Sequence, residues 1–314
     1  MGAAFSAKLI MESPQQNDKY ARMSERLTAA ANAMAAGRVS RTLSRPRKMI
    51  FPKLMQWTGG TSEVMAMTFW GEPILVVLPE LISMTIWRYG FFEEDVCRFL
   101  LHVLRPGMAF VDIGAHFGFF TRLGSELVGD EGRVLSFEPT PDTFGQLMRN
   151  TVGNENVLLQ NCAAFSSETE LTLRDFGLQY SAFNSAYGMR DGDAHNRTAR
   201  EFQARARKAD DVIRESGLNT VHLVKIDAES SELHVLQGLA ETIRRDHPRI
   251  ILETGDFGLE GVPKTADLIG WLGEFGYKPY EIGRDNILRP ATSQKFDFVG
   301  SNLLFSVTDD GAER

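Results

Sequence analysis

Apolar and polar positions repeat at two different periods along this chain, and the changes of period divide it into zones. Residues 1–57 are polar with helical spacing, hold an alanine-rich stretch from Ala29 to Ala36, and break at Arg45-Pro46. Gly59-Gly60 then marks a joint. From 61 to 79 the period drops to two: Val64, Ala66 and Thr68 alternate with Met65, Met67 and Phe69. Gly71-Glu72 turns the chain into Ile74–Leu78, so this zone predicts a hairpin. Phe92 to Leu104 returns to helical spacing, with Val96, Phe99, Leu100 and Val103 on one face and Pro106-Gly107 as its stop.

Beyond Ala109 short apolar runs alternate with helical segments, the pattern of βαβ units and a parallel sheet. The expected strands are 109–113, 133–138, 156–160, 221–227 and 249–253, closed by Tyr277–Ile282 and Leu303–Val307. Helices are expected over 118–128, 142–151, 230–244 and 264–275. The fold class is therefore α/β and doubly wound, and a ligand belongs at the carboxyl ends of the strands near the switch in strand order. No fixed-period repeat is visible. Three parts follow: a basic helical arm at 1–57, a hairpin and helix at 58–105 that pack on the core, and a catalytic domain at 106–314. The segment 176–208, rich in Gly, Asp, Arg and Tyr, reads as a lid or substrate wall. It makes Phe176, Tyr180, Phe183, Tyr187 and His195 candidate acceptor contacts.

Composition narrows the class. A chain of 314 residues, 43% hydrophobic, can bury a sizeable core without staples. Its two cysteines, Cys97 and Cys162, lack any metal-ligand spacing and read as buried thiols in a reducing cytoplasm. The longest uncharged apolar stretch, Pro73 to Pro79, is too short for a membrane span, and no basic start leads into an apolar leader. Met1-Gly2 with Ser6 fits only the loose myristoylation pattern, so no membrane role is expected. Residues 1–57 carry ten Lys/Arg against three Asp/Glu, a net of +7; with −7 overall, residues 58–314 carry −14. An acidic body argues against a nucleic-acid groove there. The arm reads as a solvated helical face that could pack on a neighbouring subunit in a homo-oligomer.

The chemistry starts at Phe110-Val111-Asp112-Ile113-Gly114-Ala115-His116-Phe117-Gly118, a strand running through a two-glycine turn into a helix. Small residues let a ligand approach the backbone, and the helix start offers free N–H groups. Glu138, twenty residues after Gly118, closes the next strand, where an acid can take both hydroxyls of a ribose. Against a dinucleotide, Asp112 would face the pyrophosphate at a cost on the order of a few kcal/mol. Toward the ammonium and sulfonium of S-adenosylmethionine the same charge attracts. The third glycine of a dinucleotide loop is also missing, since Phe119 fills its slot.

Val111–Gly118, Phe137-Glu138-Pro139, Asn150 and Lys225-Ile226-Asp227-Ala228-Glu229, in this order, resemble the FkbM family of methyltransferases over about residues 60–307. Phe69-Trp70-Gly71 and Tyr89-Gly90-Phe91-Phe92-Glu93 look similar to members of it as well. The resemblance implies a class I methyltransferase fold, Rossmann-like, with seven mostly parallel strands, and O-methylation of sugars or secondary metabolites such as polyketides. By motif position it implies that Asp112, Gly114, Ala115, His116 and Gly118 surround the methionine half of S-adenosylmethionine. Glu138 would take the ribose, and Asn161 and Ala163 would border the adenine, with S-adenosylhomocysteine as product. Two positions depart from the family pattern: Ser230 where Gly usually follows the Asp-x-Glu, and Ala209 where Leu often precedes Asp210-Asp211.

The apolar run Val221–Ile226 delivers Asp227 and Glu229 to the carboxyl edge of the sheet, and Glu232 follows in the first turn of the next helix. Methyl transfer to a hydroxyl releases a proton, so Asp227 is the first candidate base and Glu229 the second. The alternative makes Asp227 an anchor and Glu229 a helix cap. Lys225, unusual inside an apolar strand, needs a partner, for which Asp112 and Glu253 are in position. Glu253 ends its strand facing the same pocket and is a substrate candidate. Asp227, Glu229 and Glu253 could together hold a divalent cation, though nothing in their spacing requires one and no metal is expected. His222 begins its strand and points away. The alternatives to O-methylation of a small molecule are N- or C-methylation on the same fold, an NAD-dependent oxidoreductase, and a non-enzymatic scaffold.

Overall fold

The central strands form because their residues are apolar at nearly every position and buried along their whole length. In β3 (Ala109–Ile113) all five residues are buried, as are all four of β9 (Leu223–Ile226), which is the pattern of strands covered on both faces. The structure, a computed structural model, describes residues 14–36, 46–184, 199–255, 261–284, 287–291 and 301–308. Five parallel strands run β10 (Arg249–Thr254), β9, β3, β4 (Arg133–Phe137) and β5 (Val157–Gln160). Beyond β10 lie β13 (Ser301–Ser306), β11 (Lys278–Ile282) and β12 (Leu288–Pro290), each antiparallel to its neighbour.

Among the described residues the sheet has eight strands where seven were expected. The extra one, β12, is three residues long, too short to show a period of two, and it pairs back onto β11. Strand order reverses between β3 and β9, which sets the ligand position at their carboxyl ends. Alternation along each strand feeds two apolar layers. Phe110, Val134, Leu223 and Ile251 join one layer, and Val111, Leu135, Val224 and Ile250 the other.

The helices α1 (Pro14–Ala35), α2 (Pro46–Thr58), α3 (Leu81–Tyr89) and α4 (Glu94–Val103) and the hairpin β1 (Ser62–Met67) with β2 (Pro73–Leu78) precede the sheet. Met23, Leu27 and Ala30 of α1 are buried in the same layer as Phe110. The short helix α3 was not expected from the sequence. Glu80 starts it by accepting the N–H groups of Ile82 and Ser83 at 2.8 and 2.6 Å, and Gly90 ends it in the left-handed conformation.

After β3 come α5 (Phe119–Val128), after β4 α6 (Pro141–Asn150), and later α7 (Ala209–Glu215) and α10 (Thr265–Gly273). The single helix expected over 230–244 is instead two, α8 (Glu232–Gly238) and α9 (Ala240–Asp246). A Cβ on Gly238 would sit 1.9 Å from the Phe165 carbonyl oxygen, so the backbone itself packs there. Asp210 then accepts the N–H groups of Glu241 and Thr242, both at 2.9 Å, and starts the second helix.

The stretch read as a lid is in part a strand. β6 (Ala163–Phe165), β8 (Arg200–Lys208) and β7 (Thr169–Asp175) form a separate three-stranded sheet. Leu171 and Leu173, and Ala204 and Ala206, carry the period of two that marks it.

One side chain ties the hairpin to the main sheet's first turn. Asn150 at the end of α6 accepts the Leu75 N–H at 2.8 Å and donates to the carbonyls of Leu75 and Phe117 at 2.9 and 2.8 Å. Asn150→Ala leaves these groups unpaired and is expected to destabilise the fold by about 2–3 kcal/mol in urea denaturation. A loss below about 0.5 kcal/mol would show that the tie does not matter to stability.

Candidate functional site

The turn after β3 is built on a close backbone approach. Gly114 has φ of 80°, and a Cβ there would lie 1.8 Å from the Asp227 carbonyl oxygen, so only glycine lets the exit of β9 cross at this point. The N–H groups of Gly114 and Ala115 donate to the Phe137 carbonyl at 3.0 and 2.9 Å, which fixes the turn to the end of β4. The next residue, His116, is left-handed at φ 51° and donates its N–H to Glu138 Oε2 at 3.1 Å. The second Glu138 oxygen accepts the Thr140 N–H at 2.8 Å. Asn161 donates to the Glu138 carbonyl at 2.9 Å from behind.

Burial pushes Glu138 up to about 7, against the pull of the N–H groups that it accepts. Burial pushes His116 down to about 4, so its ring is neutral at ordinary pH. The ring stacks on Phe117, and its Nε2 lies 2.7 Å from Ser181 Oγ.

Above these residues opens a cleft of about 800 Å³, part of it continuous with solvent. Gly114, His116, Glu138, Ala163, Asp227 and Glu229 all line it, which brings six of the sequence candidates together. Ala164, Phe165, Leu171 and Leu173 of the second sheet form an apolar wall that the sequence reading missed. Among the described residues its lining includes three carboxylates and no lysine or arginine.

Below the cleft a buried ammonium organises the acids. Lys225, 1% exposed, lies 3.0 Å from Asp227 Oδ2 and 4.8 Å from the centroid of the Phe120 ring. The expected ion-pair partners were Asp112 or Glu253; the partner in contact is Asp227. Residues two apart on a strand share a face, so Asp227 meets Lys225 directly. Asp112, the register partner of Lys225 across β3 and β9, acts on it through charge alone. Its Oδ2 accepts from the Thr121 hydroxyl at 2.7 Å, its Oδ1 is sealed without a hydrogen-bond partner, and it does not line the cleft.

Glu93 completes this cluster. It stands at the start of α4 with φ of 45°, and its Oε2 is sealed from solvent with no hydrogen-bond partner. Burial pushes it up to about 7 despite Lys225, and the Asn302 side chain hydrogen-bonds to it. Burial alone would discharge Lys225, yet Asp227, Glu93 and Asp112 outweigh it and hold its pKa above the ordinary value. No spacing rule links Glu93 to Lys225; only the fold joins them.

The loop leaving β9 is strained. Glu229 and Ser230 are consecutive left-handed residues, at φ 47° and 80°. Ser230 thus occupies a conformation that suits glycine, the physical content of its departure from the family pattern. Glu232 Oε1 spans the loop, accepting the N–H groups of Ala228 and Ser230 at 3.1 Å each. One carboxylate oxygen from each of Asp227, Glu229 and Glu253 lies within 4.8 Å of the others.

The remaining candidates are placed elsewhere. Tyr187 and His195 lie outside the described residues. Tyr180 is half-buried beside the cleft but does not line it, while Ser181 and Asn184 do. Ala115 and Gly118 shape the turn from below, Gly118 opening α5 at φ 87°. His222 accepts the Ala109 N–H through Nδ1 at 3.0 Å, at the far edge of the sheet.

A model of the methyltransferase FkbM domain matches residues 112–279, a shorter span than the resemblance read from 60 to 307. The 31-O-demethyl-FK506 methyltransferase FkbM of Streptomyces tacrolimicus is 29% identical, over 54% of this chain and 70% of its own length. The hexuronic acid methyltransferase AglP of Haloferax volcanii is 24% identical, over 51% of this chain and 62% of its own. An FkbM methyltransferase structure from Methylobacillus flagellatus aligns at 14% identity with a TM-score of 0.40, covering 73% of this chain and 56% of that one. The matched span holds Asp112, Glu138 and Lys225–Glu229 in one continuous domain model, and the chain belongs to the FkbM methyltransferase family.

Proposed function

We propose that this chain is an S-adenosylmethionine-dependent O-methyltransferase acting on a hydroxyl of a small molecule, such as a sugar or a secondary metabolite. The observation that carries the reading is a cleft at the carboxyl ends of β3, β4 and β9 whose described lining carries three carboxylates and no lysine or arginine. A cofactor with an ammonium and a sulfonium suits three carboxylates without lysine or arginine; a pyrophosphate does not. The same feature counts against an NAD-dependent oxidoreductase. The names of two relatives support the acceptor class, since one acts on 31-O-demethyl-FK506 and another on a hexuronic acid.

In this reading Gly114, His116, Glu138 and Ala163 hold the cofactor, while Asp112, Ala115, Gly118 and Asn161 support them from behind. Glu138 is already oriented by the N–H groups of His116 and Thr140, and its remaining lone pairs face a ribose diol. When bound, S-adenosylmethionine supplies an electrophilic methyl group. Asp227 accepts the proton of the acceptor hydroxyl, with Glu229 as the second candidate, and Glu253 closes the acidic edge. Lys225 fixes the direction of Asp227 and supplies its counter-charge, so the reading uses no metal. N- or C-methylation remains the alternative, because the cofactor half of the site does not encode the acceptor.

Calorimetry is expected to show micromolar binding of S-adenosylmethionine and none of NAD, with Glu138→Ala reducing affinity at least about tenfold by loss of the ribose contact. Absence of binding, or binding indifferent to Glu138, would remove the proposal. Hydroxyls donating to Glu138 favour its ionised form, so binding expels the proton that it holds below about pH 7. Affinity should therefore rise with pH up to about 7, level off above, and lose this slope in Glu138→Gln. Lys225→Met should cost about 3–5 kcal/mol in denaturant unfolding, because Asp112 would stay buried without a counter-charge. A loss below about 1 kcal/mol would show that the ammonium does not neutralise the cluster.

A further inference from the structure

α2 leaves three large apolar side chains on its outer side. Ile50, Leu54 and Trp57 are 57%, 46% and 85% exposed, whereas Pro52 is buried and Met49, Phe51 and Met55 are half-buried. At 100° per residue the three exposed side chains fall within an arc of about 60°. Arg47 and Lys53, both exposed, flank that arc on either side. A helix that only packs on a domain turns such a stripe inward. Here the inward side is occupied by other contacts: Gln56 reaches Met84 Sδ at 3.8 Å, and the Lys48 ammonium sits 5.4 Å from the centroid of the Trp87 ring.

The charge on the helix selects its partner. α2 carries Arg47, Lys48 and Lys53 and no Asp or Glu. We propose that α2 docks this protein on an anionic lipid bilayer surface, with Ile50, Leu54 and Trp57 in the headgroup–acyl boundary and Arg47 and Lys53 on the anionic headgroups. An interfacial helix combines an apolar stripe with a basic margin, and tryptophan prefers that depth. No helix among the described residues is long and apolar enough to cross a membrane, and a helix lying in the surface needs no such length. α2 packs on α3, whose Ile82 lines the cleft, so the docked helix lies one element from the site.

The test is co-sedimentation of the full chain with vesicles of phosphatidylcholine alone and of phosphatidylcholine mixed with phosphatidylserine. At least about tenfold more protein should sediment with the anionic vesicles at low salt, and most should be released near 0.5 M NaCl, where screening reaches only ~4 Å. The triple change Ile50→Ser, Leu54→Ser and Trp57→Ser should lower the bound fraction at least about tenfold with circular dichroism unchanged. Arg47→Glu with Lys53→Glu should abolish the preference for anionic vesicles. Trp57 emission, taken as the difference between the chain and Trp57→Phe, should shift to the blue on the vesicles. Equal sedimentation with both vesicle types, or a triple variant that binds like the parent, overturns the proposal. So does a dimer seen by light scattering without lipid that the triple variant abolishes, which would assign the stripe to a second copy of the chain.

Discussion

A single buried ammonium constrains the functional half of this molecule. Lys225 sits in the central strand of an apolar sheet, and a charge there is tolerated only if opposite charges surround it. Three carboxylates meet that demand from three different places: Asp112 on the neighbouring strand, Asp227 two residues on, and Glu93 at the head of α4. The acids at the end of the sheet are thus bound together by one cation. The direction of Asp227 follows from it.

The backbone around this cluster is shaped as closely as its charges. Gly114 lets the loop after β9 touch the turn after β3, so the cofactor turn and the acidic edge are one structural unit. Glu232 then accepts the N–H groups of Ala228 and Ser230, on either side of the left-handed Glu229. Strain of this kind persists where surrounding contacts over-determine it, and such places concentrate at sites that must present a side chain in one direction. Across the cleft the second sheet offers only apolar side chains and small residues. The cleft therefore has a charged floor and an apolar wall.

Much of the sheet was legible because its central strands are short, largely apolar runs, and period and length give such runs away. Asp112, Gly114, Glu138 and Asp227 were legible because each stands at the end of such a run. Glu93 was not: its partner lies on a strand 132 residues later in the numbering, and its neighbours read as an ordinary helix start. The second sheet was missed because its alternation rests on alanines and leucines among arginines, which resembles a polar insertion. The division of 230–244 into two helices depends on the Phe165 backbone touching Gly238, a contact that no local pattern contains. The pairing of Lys225 was misassigned between neighbours on the sheet, although the period of two along its own strand points to Asp227.

The three hydrogen bonds of Asn150 have a kinetic meaning. They bind β2 and the turn at Phe117 through one amide group, so the hairpin cannot detach while that turn keeps its shape. Opening of the hairpin and loosening of the turn become one cooperative event, on which exchange of the Leu75 amide would report. A ligand that holds the turn closed would then slow hydrogen exchange in a hairpin that it never touches.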